Sequence, residues 1–421
     1  MDTNWKRKFF TIYAGQAFSL LGSAAVQFAV IWQLTVQSES AVTLTSAMIV
    51  LFLPNLLFGP FAGVWIDRYN RRTVMIAADS LVAVSSAILG IAFLITPVPP
   101  VSFIFLILFV RGLGNTFHSP AMQAAIPLFV PVEMLTKAGG WGSFIVSVST
   151  MLGPALGAIL MAAFPVASIM LVDIAGALIA VSCLLAVRIP DIPGKGMGIE
   201  RGGGGGKNLA SSFAGARHGF LSDMKQGVLA IRQNRPLAVV LVPIILSTFL
   251  YMPMSALFPL LVRTHYMGEA WNNAVVEFVF SGGLLISSLV MGICGSSRRR
   301  FLMISGALFV LGAASAVGGA LPRNMFWGFA AASFFMGASG TFFNVPLMAY
   351  IQETSAPEVM GKVFSMMTTA MTLASPVGLA IAGPVSEAVG VDVWFLVSGG
   401  LIAGIGVVCY FMTRGYDAGE M

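Results

Sequence analysis

The sequence predicts an all-α integral membrane fold, with twelve transmembrane helices arranged as two six-helix bundles in pseudo-twofold repeat. Three observations carry this. The 421-residue chain is 57% hydrophobic and only 10% charged, whereas a soluble globular domain carries about 25% charged residues. Apolar runs recur along it, each long enough to cross about 30 Å of hydrocarbon as a helix. The chain also repeats itself at a constant spacing of 225 residues.

The first run, Phe9–Thr35, is too long for a removable signal peptide and lacks a small-residue cleavage site. The second, Val42–Ile66, leads into the charged turn GVWIDRYNRR, after which Thr73–Ile95 resumes the apolar pattern. Val101–Pro127 carries one cation, Arg111, in its middle, and Ala138–Phe164 carries spaced glycines. Val166–Arg188 closes the first six. After a polar stretch, Leu237–Val262 is rich in aromatic and methionine side chains, and Asn273–Cys294 holds a single acid, Glu277. Phe301–Ala320, Met325–Ile351, Val363–Ser386 and Val393–Thr413 complete the set. Cys183, Cys294 and Cys409 lie inside or at the end of these runs without paired spacing, as small core residues do, so neither a disulfide framework nor a metal site is predicted.

The repeat is explicit. Gly112, Thr116, Phe117, Glu133, Lys137 and Gly153 recur as Gly337, Thr341, Phe342, Glu358, Lys362 and Gly378. Two six-helix halves in parallel repeat are the plan of many secondary transporters, whose substrate site lies near the midplane between them. The expected divisions are residues 1–188, a linker over 189–235, and residues 236–421. The linker contains five consecutive glycines, Gly202–Gly206, which behave as flexible coil. RGGGGGKN does not make a phosphate loop, because Arg201 replaces the first glycine and Asn208 the Ser/Thr. Beyond it, Phe213, Phe220, Met224, Val228 and Ile231 alternate with Arg217, Lys225 and Arg232, as in an amphipathic helix lying on a membrane surface. Twenty of the 23 lysines and arginines fall on one side of the predicted membrane, which orients both termini to the cytoplasm. The net charge of +6 is thus an orientation signal and calls for no nucleic-acid partner.

Candidate functional residues cluster in a few places. In GVWIDRYNRR, Gly63 and Gly59 form a small-residue face suited to close helix approach. Asp67 can cap a neighbouring helix or pair with Arg71 or Arg72, beside Arg68, and Asn70 tolerates a left-handed turn. In the fourth run Arg111, Asn115, His118 and Met122 share one helical stripe. Arg111 lies about 15 Å deep at about 1.5 Å per residue, so it is expected to face a cavity. The repeat-related positions, Met336, Gly340, Phe343 and Leu347, are apolar, so the polar chemistry belongs to the first half. The first run offers Gln16, Leu20, Ser23 and Gln27 as a facing stripe. Asp79, Asp173 and Glu277 are the candidate proton carriers, Glu277 ahead of Asp173, and His118 is a further candidate for proton coupling. Tyr251, Met254 and Phe258, with Thr341 and Asn344, suit a large apolar ligand, and Gln16, Gln27 and Asn115 are the polar substrate contacts expected with them.

GVWIDRYNRR resembles the loop signature of the major facilitator superfamily, G-x-x-x-D-R-x-G-R-R, with Asn70 in place of the later glycine. RGLG at Arg111–Gly114 resembles the superfamily's fourth-helix basic motif, and Gly140, Gly153, Pro154 and Gly157 resemble its antiporter motif, with Ser149 replacing one glycine. NWKRKFF, FLPNLLFGP, TFHSPA, LVDIAGA, RQNRPL and YMPMSALFPL are similar to the macrolide-efflux branch. The resemblance implies a gate at Gly63, Asp67, Arg68, Arg71 and Arg72, and proton coupling around Arg111. It implies peripheral third and sixth helices, so that Asp79 and Asp173 serve to tie helices together. It implies export of macrolide-like or other amphipathic drugs from the bacterial cytoplasmic membrane, by a monomer that needs no cofactor beyond the proton gradient. The same fold exporting a siderophore, lipid or metabolite is an alternative. A non-transporting receptor is another, against which the repeat and gate motif count. No zinc spacing, nucleophile elbow or phosphate loop is present, so no enzyme is predicted.

Overall fold

A computed structural model of the protein describes residues 5–187, 228–229, 231–294, 299–355 and 357–418. The glycine tract and most of the proposed surface helix of the linker lie outside these residues. Twelve long helices account for nearly all of the described chain, and each contains a segment long and apolar enough to cross a membrane. No strand occurs among the described residues.

The first six helices are α1 (Trp5–Ser38), α2 (Ala41–Arg68), α3 (Arg71–Ile95), α4 (Val101–Ala125), α5 (Leu135–Ala163) and α6 (Val166–Ala186). The second six are α7 (Arg235–Leu260), α8 (Ala270–Cys294), α9 (Arg300–Ala320), α10 (Phe326–Thr354), α11 (Pro357–Val389) and α12 (Val391–Ala418). Local chemistry sets their ends. Ser40 accepts a hydrogen bond from the Thr43 amide to start α2, and Pro100 and Pro165 stand immediately before α4 and α6. Gly390, with φ of 99°, turns the chain between α11 and α12, a conformation that side chains disfavour. Five residues of π-helix, Leu261–His265, extend α7.

Contacts divide the chain into two compact units. The first takes in the described residues of Met1–Gly196, Ala256–Ser281 and Ala382–Val391. Within it α1 packs on α5 and α6, α2 on α4, and α3 on both α4 and α6. Also within it, Glu387 at the end of α11 accepts from Ser40 Oγ at 3.0 Å and the Val42 amide at 3.2 Å, a carboxylate on the N-terminus of α2. Arg263 pairs with Glu39 nearby.

The second unit takes in the described residues of Met197–Ser255, Gly282–Ile381 and Asp392–Met421. Here α9 and α12 meet through Gly312, Gly319, Gly399 and Gly406, each too close to the opposing backbone to accept a Cβ. The sequence repeat has a geometric counterpart. Gly153 of α5 lies against Ala24 of α1, and Gly378 of α11 lies against Phe249 of α7. Both members of this pair are separated by the same 225 residues, so the same close approach is built twice, once in each unit.

Candidate functional site

Two polar clusters lie buried among α1, α3, α4 and α6. Arg111 projects from α4 and is only 4% exposed, and Asp173 of α6 is 1% exposed. They form a salt bridge through Nη1 and Oδ2. Ser86 of α3 completes the contact, accepting from Arg111 Nη1 at 2.5 Å and donating to Asp173 Oδ2 at 2.6 Å. Ser23 of α1 donates its hydroxyl to Asp173 Oδ1 at 2.5 Å, and its carbonyl accepts from Arg111 Nη2 at 3.4 Å. The carboxylate thus receives two hydroxyls and a guanidinium, replacing the water lost on burial. Such compensation is what a buried ion needs, since each uncompensated charge costs several kcal/mol.

Asp79 of α3 heads the second cluster. Gln16 of α1 donates to its Oδ2 at 3.2 Å, and Nε2 of His118 on α4 stands 3.4 Å from its Oδ1 without a hydrogen bond. Gln16 Oε1 and His118 Nε2 are both buried without a hydrogen-bond partner. The first cluster is saturated; the second is loose. Neither atom has a partner within the described residues of the protein, whereas buried polar groups in native folds are generally hydrogen-bonded.

The repeat shows that packing does not require this chemistry. Adding 225 to Gln16, Ser23, Asp79, Ser86, Arg111, His118 and Asp173 gives Leu241, Thr248, Ile304, Leu311, Met336, Phe343 and Ser398. Of these, Leu241, Ile304, Leu311, Met336 and Ser398 are buried. An ordinary, mostly apolar core fills the corresponding place in the second half.

Several sequence expectations change in this setting. Arg111 faces no open cavity but is enclosed by its ion pair. Its partner is Asp173, which α6 turns toward α1, α3 and α4. Asp79 and Asp173 do tie helices together. Ser86 was not singled out from the sequence; its signal was a hydroxyl pair, Ser85 and Ser86, inside an apolar run.

In the charged turn, Asn70 is extended (φ −64°, ψ 120°) rather than left-handed; it is the N-cap of α3, accepting from the Arg72 amide at 2.9 Å. Arg72 donates to Leu185 O at 2.7 Å, a cation on the last carbonyls of α6. The side chains of Asp67 and Arg68 lie outside what the structure describes. Gly63 is exposed, and a Cβ there would meet open space, so among the described residues the close approach expected at Gly59 and Gly63 is not made. It is made instead by Gly112 against Leu51 O. In α5, Gly153 and Gly157 lie tight against Ala24, Ala25 and Phe28 of α1, with Pro154 between them, whereas Gly140 faces open space.

The proposed substrate contacts divide by exposure. Asn115 and Asn344 are exposed, and Gln27 and Tyr251 are half-buried. Met254 is fully buried, and Thr341 is tied to α8 through Ser288 Oγ at 3.2 Å and Leu284 O at 3.3 Å. Phe258 is buried and meets Phe280 edge-on, with ring centroids 6.3 Å apart. Glu277, on α8, accepts from Asn273 Nδ2 at 2.8 Å.

Comparison with known proteins agrees with the fold. Residues 12–296 match the family described as Major Facilitator Superfamily. The chain is 36% identical to Macrolide efflux protein A of Streptococcus pyogenes over 406 residues, 96% of each chain. It is 34% identical to Macrolide efflux protein A of Enterococcus faecalis over 328 residues, covering 78% of this chain and 96% of that one. Among solved structures, a bacterial homologue of the human lysosomal transporter Spinster superposes with a TM-score of 0.69 at 12% identity, covering 99% of this chain and 97% of that one. The relatives are transporters, not enzymes, and with its twelve apolar helices and its matching sequence this chain belongs to the Major Facilitator Superfamily of membrane transporters.

Proposed function

We propose that the protein exports macrolide-like and other amphipathic drugs across the bacterial cytoplasmic membrane in exchange for protons, as a monomer with both termini in the cytoplasm. The observation that carries the coupling is the buried Arg111–Asp173 pair, present in one half and replaced by Met336 and Ser398 in the other. The likeness to two macrolide efflux proteins supports the cargo and the direction.

In this reading a proton entering the site binds Asp173 and neutralises it. Arg111 then loses its counter-charge inside a low-dielectric core, where an unpaired cation costs several kcal/mol. The state that buries the pair is disfavoured, and α4 and α6 must part until the guanidinium finds another acceptor. Substrate and proton thus act on one conformational equilibrium through different affinities for its states. Asp79 and His118, loosely held beside the pair, are a second proton station on the same path. Asp67, Arg68, Arg71 and Arg72 form the cytoplasmic gate, and the Arg72 contact with the end of α6 supports a link between that gate and the helix carrying Asp173. Energy comes from the proton gradient, with no cofactor.

The test is accumulation of erythromycin in an efflux-deficient bacterial host, with and without a protonophore. Expression of the chain should lower accumulation, and the protonophore should abolish the difference. Unchanged accumulation across a macrolide and amphipathic drug panel would overturn the cargo, and efflux indifferent to the protonophore would overturn the coupling.

A further inference from the structure

The second half of the chain enters the first compact unit through the segments Ala256–Ser281 and Ala382–Val391. Both meet the turn between α1 and α2. Glu387, in the last turn of α11, accepts from Ser40 Oγ at 3.0 Å and from the Val42 amide at 3.2 Å. The Val42 amide is one of the first-turn donors that a helix leaves without a partner of its own, so Glu387 supplies from α11 what the start of α2 lacks. One turn earlier, Gly383 lies so close to Val42 and Thr45 that a side chain there would collide with them. Glu39, with φ of 45°, holds a backbone conformation that residues with side chains seldom adopt, and its carboxylate pairs with Arg263 Nε at 3.2 Å. Arg263 belongs to the π-helical end of α7, a distortion frequent at functional sites. The turn is thus clasped from α7 and from α11.

This turn lies on the membrane face opposite the N-terminus, because α1 crosses once to reach it. In the orientation proposed above it is on the outer face, through which the drug leaves. A transporter that alternates access must open that face once in every cycle. The contacts suit the task. Glu387 and Glu39 are both exposed, and such contacts are individually weak, so the clasp can bias the closed state without locking it. We infer that Glu387 is the latch of the outer face: its carboxylate on the N-terminus of α2 holds this end closed, and the drug leaves when α11 withdraws it. This rests on the export reading above. It gives α2 a gate residue at each end, Glu387 acting on its N-terminus and Asp67 in the charged turn at its C-terminus. The latch belongs to one half alone, since the residue 225 positions before Glu387 is Ala162.

The experiment reads opening directly, with the full chain in lipid nanodiscs, where both faces meet solvent. Thr45→Cys places a thiol at a position 2% exposed, beneath Gly383, and a hydrophilic maleimide reaches it when α2 and α11 part. The labelling rate then follows the open fraction. Glu387→Gln should raise it about two- to fivefold, the range for a charge at an exposed helix N-terminus. Glu387→Lys, which sets a cation on the positive end of α2, should raise it further, and Glu387→Asp should raise it less than Glu387→Gln. Cys409, at 0% exposure in the second unit, is the internal control and should keep its rate in every variant. An unchanged rate at Thr45→Cys in Glu387→Gln would overturn the latch. So would an equal rise at Cys409, which marks a loosened fold. No drug is present, so the result is separate from that of the accumulation assay, which tests the export reading.

Discussion

Replacing Arg111 and Asp173 by the residues that the repeat places at the same points, Met and Ser, separates what the pair does for the fold from what it does for transport. Asp173→Asn alone removes the counter-charge of Arg111 in a site 4% exposed and leaves the guanidinium only neutral acceptors, namely Ser86, the Ser23 carbonyl and the new amide oxygen. Breaking a buried pair from one side costs about 3–5 kcal/mol. The double variant Arg111→Met with Asp173→Ser removes both charges together. Met336 and Ser398 already occupy the related place in the second half, at 1% exposure each. Replacing a buried pair by side chains that pack is close to neutral, so the double variant should unfold within about 1 kcal/mol of the wild type. The two single substitutions should then be strongly non-additive. Denaturant unfolding in mixed micelles, followed by circular dichroism, measures this, and the same proteins are assayed for efflux of erythromycin. The expected result is a stable, inserted and inactive double variant. Two outcomes would refute the reasoning: wild-type efflux by the double variant, or a double variant as unstable as Asp173→Asn.

Other consequences can be checked independently. Gly153→Val and Gly378→Val each force a side chain into a closed helix contact and should destabilise by about 1–3 kcal/mol. Gly140→Ala and Gly63→Ala open onto space and should be neutral or slightly stabilising in the same unfolding assay. A reporter inserted in Gly202–Gly206 should be cytoplasmic, since the segments predicted to face that side hold twenty of the basic residues; an external signal would reverse the proposed orientation. Asp67→Asn should slow turnover more than it weakens drug affinity, because the gate acts on the conformational equilibrium; transport at wild-type rate with normal surface expression would reduce the turn to a topology signal.

The helices were legible because crossing a bilayer demands long apolar runs, and such runs mark themselves in sequence. Their ends were less so. Helix α1 begins at Trp5 and α11 at Pro357, several residues before the apolar runs that announce them. Backbone hydrogen bonding continues past the point where hydropathy falls, and no local signal marks where it stops. Arg111 stood out as a cation in an apolar run, and the 225-residue repeat showed that its stripe belongs to one half. Its partner did not stand out: Asp173 is 62 residues away on another helix, and which face of α6 turns inward is a tertiary fact. The glycines make the same point. Gly63 and Gly153 look alike in sequence, yet a side chain would find open space at one and Ala24 at the other. Spacing identifies a small-residue face but not whether another helix lies against it.

Drug-driven proton movement in proteoliposomes tests the central claim most directly. The purified chain is reconstituted with a pH-sensitive dye inside, and an outward gradient of erythromycin is imposed without a preset pH gradient. Exchange through the Arg111–Asp173 pair predicts that drug leaving the vesicle draws protons in, acidifying the lumen, and that the Arg111→Met, Asp173→Ser variant gives no signal. Drug efflux with no luminal acidification, or equal acidification by the variant, would contradict it.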